Sequence, residues 1–89
     1  SWSVAAAHGV DDGECLPLAL ALANVARIAR AVALPVSMDL EAGYADDPDG
    51  VGTTVAAALA AGAVGVNLED SRPADGTLRA IDAQAARLA

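Results

Sequence analysis

The 89 residues contain no Lys and no Phe, and one each of Cys, Trp, Tyr and His. Each scarcity narrows the function. With a net charge of -7 and five Arg as its only Lys or Arg residues, the chain has no basic cluster to displace counterions along a phosphate backbone, which argues against nucleic acid as a partner. A single Cys excludes an internal disulfide framework and fits a reducing cytoplasm. The apolar runs are too short and too often interrupted to span a bilayer, and "SWSVAAAHGVDD" has no basic leader region, so no membrane partner is expected. The chain lacks a starting Met and opens in an apolar stretch, so it is read as beginning inside a longer protein.

What is present is small and aliphatic. Hydrophobic residues make up 55%, mostly Ala, Val and Leu, which suits a thin core built by packing helices on a sheet. Over 16–34, apolar residues at 18, 22, 25, 28, 29 and 32 form a helical stripe, with Pro17 suited to the first turn. "LPVSMDL" reads as a strand in which Val36, Met38 and Leu40 alternate with Ser37, Asp39 and Glu41. "GYADDPDG" is turn-rich, and "VGTTVAAALAAG" is a second helix ended by Gly62. "AVGVNLED" is the next strand, with Val64, Val66 and Leu68 on one face. "SRPADG" is loop, and "TLRAIDAQAARLA" is a third helix with Ile81, Ala85 and Leu88 aligned. The segment "SWSVAAAHG" reads as a strand end running into one helical turn, with His8 closing it.

Strands alternating with helices through short connections imply parallel βαβ units in an α/β fold. Too few units are present to close a barrel, which takes about 250 residues. Residues 1–89 are therefore read as one segment of a TIM (β/α)8 barrel, a partial barrel whose parallel strands alternate with helices.

Asp39 and Glu41 fall at the C-terminal end of one strand and Glu69 at the same end of the next. Parallel strands bring those ends to one rim, where barrel active sites are built. Alternation by twos aims Asp39 and Glu41 to one side. Three converging carboxylates would raise one another's pKa values, and a hard divalent cation such as Mg2+ removes that cost. The competing reading is that these acids solvate a loop or cap the following helix.

"SMDLEAGY" followed by "GVNLEDS", with "SWSVAAAHGVDDGE" before them, resembles the isocitrate lyase and phosphoenolpyruvate mutase superfamily in order and spacing along essentially the whole chain. In that family an Asp-x-Asp-x-Gly-Tyr/Phe element lies on the third barrel strand and an Ile/Leu-Glu-Asp element on the fourth. The resemblance implies a segment covering the strand 2 to 4 region of such a barrel. It also implies a Mg2+-dependent enzyme, with Mn2+ as a possible substitute. Such an enzyme makes or breaks a C-C or C-P bond of a small 2-oxo acid or phosphonate through a metal-stabilised enolate. Asp39 matches the direct metal ligand, Glu41 stands where the family usually has a second Asp, and Glu69 matches the metal-linked Glu. Asp12 matches a catalytic Asp on the loop after the second strand. Ser1 and Trp2 match positions that present backbone groups to the substrate carboxylate.

Tyr44 could donate a hydrogen bond to substrate at the mouth or serve in packing. The region "SRPADGTLRAI" lacks the Lys-Lys/Arg-Cys-Gly-His loop of the lyases, which argues against the isocitrate and methylisocitrate lyase reactions, and also the Lys residues of the mutase. Cys15 is read as a buried small hydrophobe, and Arg72 either meets an anionic substrate or is a solvated loop charge. The full-length parent is expected to be a cytoplasmic homo-oligomer. The alternative is a noncatalytic barrel fragment or assembly subunit with no activity of its own. A doubly wound, flavodoxin-like receiver has the same order of elements but does not match at the Gly-Tyr and Leu-Glu-Asp positions.

Overall fold

A computed structural model describes residues 2–89. Its elements are α1 (Trp2–Ala7), α2 (Leu18–Ala31), β1 (Ser37–Asp39), α3 (Pro48–Ala60), β2 (Gly65–Asn67) and α4 (Ile81–Leu88). β1 and β2 pair in parallel with Ser37 opposite Gly65 and Asp39 opposite Asn67, and α3 is the crossover between them. Backbone bonds from Val64 to Val36, from Leu40 to Asn67 and from Glu69 to Glu41 carry the pairing past both ends of these short strands. The mixed helix and strand order with a small parallel sheet is that of a piece of an α/β fold, as the alternation predicts.

The core lies between the sheet and its helices: Val25, Met38, Leu40, Ala58 and Ala63 are buried together, with Leu18, Leu22, Val66 and Leu68 against them. Several parts of the predicted pattern are corrected. α2 begins at Leu18 with Pro17 as its N-cap residue rather than inside its first turn. α3 begins at Pro48, three residues earlier than periodicity places it, because the Asp47 side chain caps the Gly50 amide and Pro48 takes the first helical position. "SWSVAAA" is helix from Trp2, with no strand end within its described residues, and the His8 ring bonds the Val4 carbonyl just past its end. Val64 is exposed rather than packed with Val66 and Leu68, and Cys15 is exposed rather than buried.

The largest departure is in α4. Ile81 is 86% exposed and Leu88 is also exposed, whereas Arg87 is buried. The apolar stripe read from the sequence is not the face that packs. No helix among the described residues is long and apolar enough to cross a membrane.

Gly62 closes α3 as the spacing predicts. Its amide bonds Leu59 and the Ala63 amide bonds Ala58, the paired bonds of a Schellman motif. At φ 112 a side chain is strained, and a Cβ there would lie 2.8 Å from Cβ of Ala29 on α2. Gly52, inside α3, has nothing within 4 Å of a built Cβ. Thermal unfolding should therefore show Gly62→Ala destabilised by about 1–3 kcal/mol. Gly52→Ala should be neutral or stabilised by up to about 1 kcal/mol. Equal effects of the two would contradict the packing described for the α3 C-terminus.

Candidate active site at the strand rim

The rim is built where β1 stops. The Leu40 amide still bonds the Asn67 carbonyl of β2, but Glu41 has φ 51, and the left-handed conformation ends the alternation so that residues 40–43 are all buried. Asp39 and Glu41 line one cavity but differ in environment: Asp39 is exposed, whereas Glu41 is 6% exposed. The Asp39 Oδ1 accepts the Glu41 amide at 2.9 Å, which fixes the start of the turn.

Glu41 is fully engaged. Its Oε1 accepts the Gly13 amide at 3.1 Å and its Oε2 the Glu14 amide at 3.0 Å, both from the loop before α2. The Tyr44 hydroxyl lies within bonding reach of Glu41 Oε2, at 3.2 Å, and of the Leu16 carbonyl, at 3.1 Å. The Tyr44 amide in turn donates to Glu14 Oε1 at 2.8 Å. Glu14, Glu41 and Tyr44, the three non-glycine residues with positive φ among those described, are thus bonded to one another. Each such conformation costs on the order of 1–2 kcal/mol, and it persists only where the surroundings over-determine it.

Burial, followed by the adjoining Asp12 carboxyl, raises the pKa of Glu41, and the Glu14 and Gly13 amides and the Tyr44 hydroxyl oppose that shift. Burial, then the Glu41 charge, pushes the Tyr44 phenol well above its ordinary range, so it is a hydrogen-bond donor at neutral pH. Asp12 thereby meets Glu41 from the loop, although the two lie 29 positions apart in sequence.

Glu69 reaches the same end of the sheet through its amide bond to the Glu41 carbonyl, yet its side chain is exposed and accepts from the Ser71 hydroxyl at 3.2 Å. Among the described residues no group of three or more His, Cys, Asp or Glu side chains is arranged to hold a metal ion. The three acids share a rim without forming a cage. Trp2 lies on α1 and is exposed, while Ser1 lies outside the described residues. Arg72 bonds Leu78 O and Thr77 within its own loop.

Beside the rim is a cavity of about 160 Å3, with Asp39, Glu41 and Tyr44 on its polar wall and Leu16, Val25 and Ile28 on its apolar wall. Drug-sized sites run to roughly 300–1,000 Å3, so this space suits a molecule of only a few heavy atoms. Two residues that the motifs did not mark support the rim from α4 and the loop before it. Arg87 donates to the Ala42 and Ala45 carbonyls, and Arg79 bonds Asp46 at 3.0 Å. For Arg87 the signal in the sequence is an Arg inside a helix that offers few other large groups, which is weak.

The family model for phosphoenolpyruvate phosphomutase matches residues 1–89. A crystal structure of a candidate phosphonomutase from Burkholderia cenocepacia J2315 superposes with a TM-score of 0.94 at 53% identity, covering 99% of this chain and 36% of that one. A candidate lyase/mutase from the same organism superposes with a TM-score of 0.89 at 37% identity, covering 99% of this chain and 31% of that one. The chain thus spans about a third of the length of these structures. No curated protein matches it. By sequence and fold, the chain belongs to the phosphoenolpyruvate phosphomutase family, within the isocitrate lyase and phosphoenolpyruvate mutase superfamily.

Proposed function

We propose that residues 1–89 form part of a (β/α)8 barrel whose parent is a Mg2+-dependent enzyme making or breaking a C-P or C-C bond of a small 2-oxo acid. The observation that carries this reading is the meeting of the Asp12 loop with the β1 rim at Glu41, beside a cavity sized for a few heavy atoms. The neighbours described as phosphonomutase and lyase/mutase support the reaction class. The absent Cys and His after β2 argue against the isocitrate lyases, and the absent Lys residues there depart from the mutase as well.

The donor set fits Mg2+ in one particular way. Mg2+ commonly takes one or two direct carboxylates and keeps several waters. Asp39, an exposed carboxylate at the end of β1, suits direct contact. Glu41 is occupied by two amides and a hydroxyl, and Glu69 stands at the neighbouring strand end, so both suit contact through water. When bound, the ion supplies positive charge against the enolate oxygen of the substrate. This chain's residues do the rest: Glu41 seats the loop that brings Asp12 to the reacting group, Tyr44 holds that seat from the mouth through its hydroxyl and amide, and the apolar wall limits water. Ser1 and Trp2 would present backbone groups to the substrate carboxylate. We place the reaction in the cytoplasm, in a homo-oligomer.

Two substitutions in the full-length parent separate these roles, assayed with phosphonopyruvate, oxaloacetate and methylisocitrate and by Mg2+ titration. Asp39→Ala should abolish Mg2+ binding and lower turnover more than about 100-fold, beyond the loss usual for residues outside direct metal contact. Glu41→Gln should lower turnover about 10–100-fold with a smaller change in Mg2+ affinity. Undiminished turnover of Asp39→Ala defeats the proposal, and equal loss of Mg2+ by both variants would make Glu41 a direct ligand.

A second reading concerns the isolated chain. Its sheet has two strands of three residues each, below what is stable alone in water, and Trp2, Leu34, Val64, Leu78, Ile81 and Leu88 are all exposed. We infer that the 89 residues alone are noncatalytic and need further strands or an assembly to cover these surfaces. Sedimentation of the isolated chain should show self-association or partial unfolding, with no turnover. A stable monomer that binds Mg2+ and turns over substrate would contradict this.

A further inference from the structure

Arg87 is 5% exposed, and nothing in the proposed chemistry uses it. A guanidinium removed from water costs several kcal/mol unless its donors are well bonded. Among the described residues no carboxylate forms an ion pair with it. One Nη donates to the backbone carbonyls of Ala42 and Ala45, the other to the side chain of Gln84, and its Nε has no partner. An aliphatic side chain would fill this site at lower cost if packing were its only purpose. What the guanidinium adds is one Nη that reaches two carbonyls of one turn, 45 and 42 positions earlier in the chain, while Gln84 holds the other Nη in plane.

That turn is the one that needs holding. It runs between Glu41 and Tyr44, both in left-handed backbone. Between them Gly43, at φ 92, has no side chain, and a Cβ there would lie 3.3 Å from an Arg87 Nη and 2.8 Å from Leu68. The close approach of the guanidinium therefore depends on glycine at 43. On its other side the turn carries the whole seat of the loop before α2: Glu41 accepts the Gly13 and Glu14 amides, and Tyr44 bonds Glu14 and reaches Leu16.

We propose that Arg87 is a positioning residue: from α4 it fixes the Ala42–Ala45 turn and, through Glu41 and Tyr44, the seat of the loop that carries Asp12. It rests on the proposed function only for what Asp12 and Asp39 do there. The geometry itself can be tested without metal or substrate.

The test is amide hydrogen exchange of the full-length parent, free of substrate, for wild type, Arg87→Met and Arg87→Lys. Met matches the aliphatic bulk and removes every bond. Lys keeps the charge but lacks the planar second nitrogen that Gln84 holds, so the geometry that bonds both carbonyls is lost. For Arg87→Met, exchange should rise at least about tenfold over both 41–45 and 12–16, with α2 and α3 unchanged. Arg87→Lys should fall between Met and wild type over both segments. If 41–45 loosens while 12–16 keeps wild-type protection, the relay is absent and the proposal falls. A uniform rise across the chain also overturns it, since that marks an ordinary stabilising residue. Should Arg87→Met fail to fold, Arg87→Lys decides: a local rise over both segments supports the proposal, and wild-type exchange or a uniform rise refutes it. Because no turnover is read, failure here leaves the assignment of reaction class untouched, and failure of that assignment leaves the relay standing.

Discussion

A buried carboxylate accepting two backbone amides from a distant loop is the interaction on which this site depends. Burying a carboxylate without partners costs far more than a small domain has to spare, so Glu41 can be 6% exposed only because Gly13, Glu14 and Tyr44 bond it. The bonds are charge-assisted and worth roughly 1.5–3 kcal/mol each. They also hold three left-handed residues whose strain would otherwise relax the turn. Without this network the segment 11–16 has no seat, and the polar wall of the cavity beside Asp39 has no fixed shape.

The turn is held from two directions. The loop before α2 grips it through Glu41 and Tyr44, while Arg87 and Arg79 reach its carbonyls and Asp46 from the opposite side. Rigidity at the rim then separates two kinds of acid. Asp39 stays exposed at the strand end, its Oδ1 accepting the Glu41 amide, while Glu41 is withdrawn into the structure as an anchor. Neighbouring carboxylates are commonly assigned one shared role, and here their environments assign them different ones.

Much of the framework was legible in the sequence because it follows from local pattern. Alternation and turn residues predict the βαβ order, and Gly62 predicts the end of α3. The features that were not legible come from long-range contacts. Glu41 breaks the period of two because amides 27 and 28 positions earlier in the chain pull it inward, a fact absent from "SMDLEAGY" itself. Arg87 is buried where periodicity favours Ile81 and Leu88, because backbone carbonyls of the rim, rather than apolar surface, face that side of α4. The common rim of Asp39, Glu41 and Glu69 follows from parallel pairing, yet the spacing of their side chains depends on turn geometry that no spacing rule contains.

The division of labour between Asp39 and Glu41 is the central claim, and a crystal structure of the full-length protein with Mg2+ bound tests it most directly. The account predicts an Asp39 oxygen at about 2.1 Å from the ion, with Glu41 still bonded to the Gly13 and Glu14 amides. Direct coordination by Glu41 with the 13–14 amides released, or an ion bound away from Asp39 altogether, would contradict it.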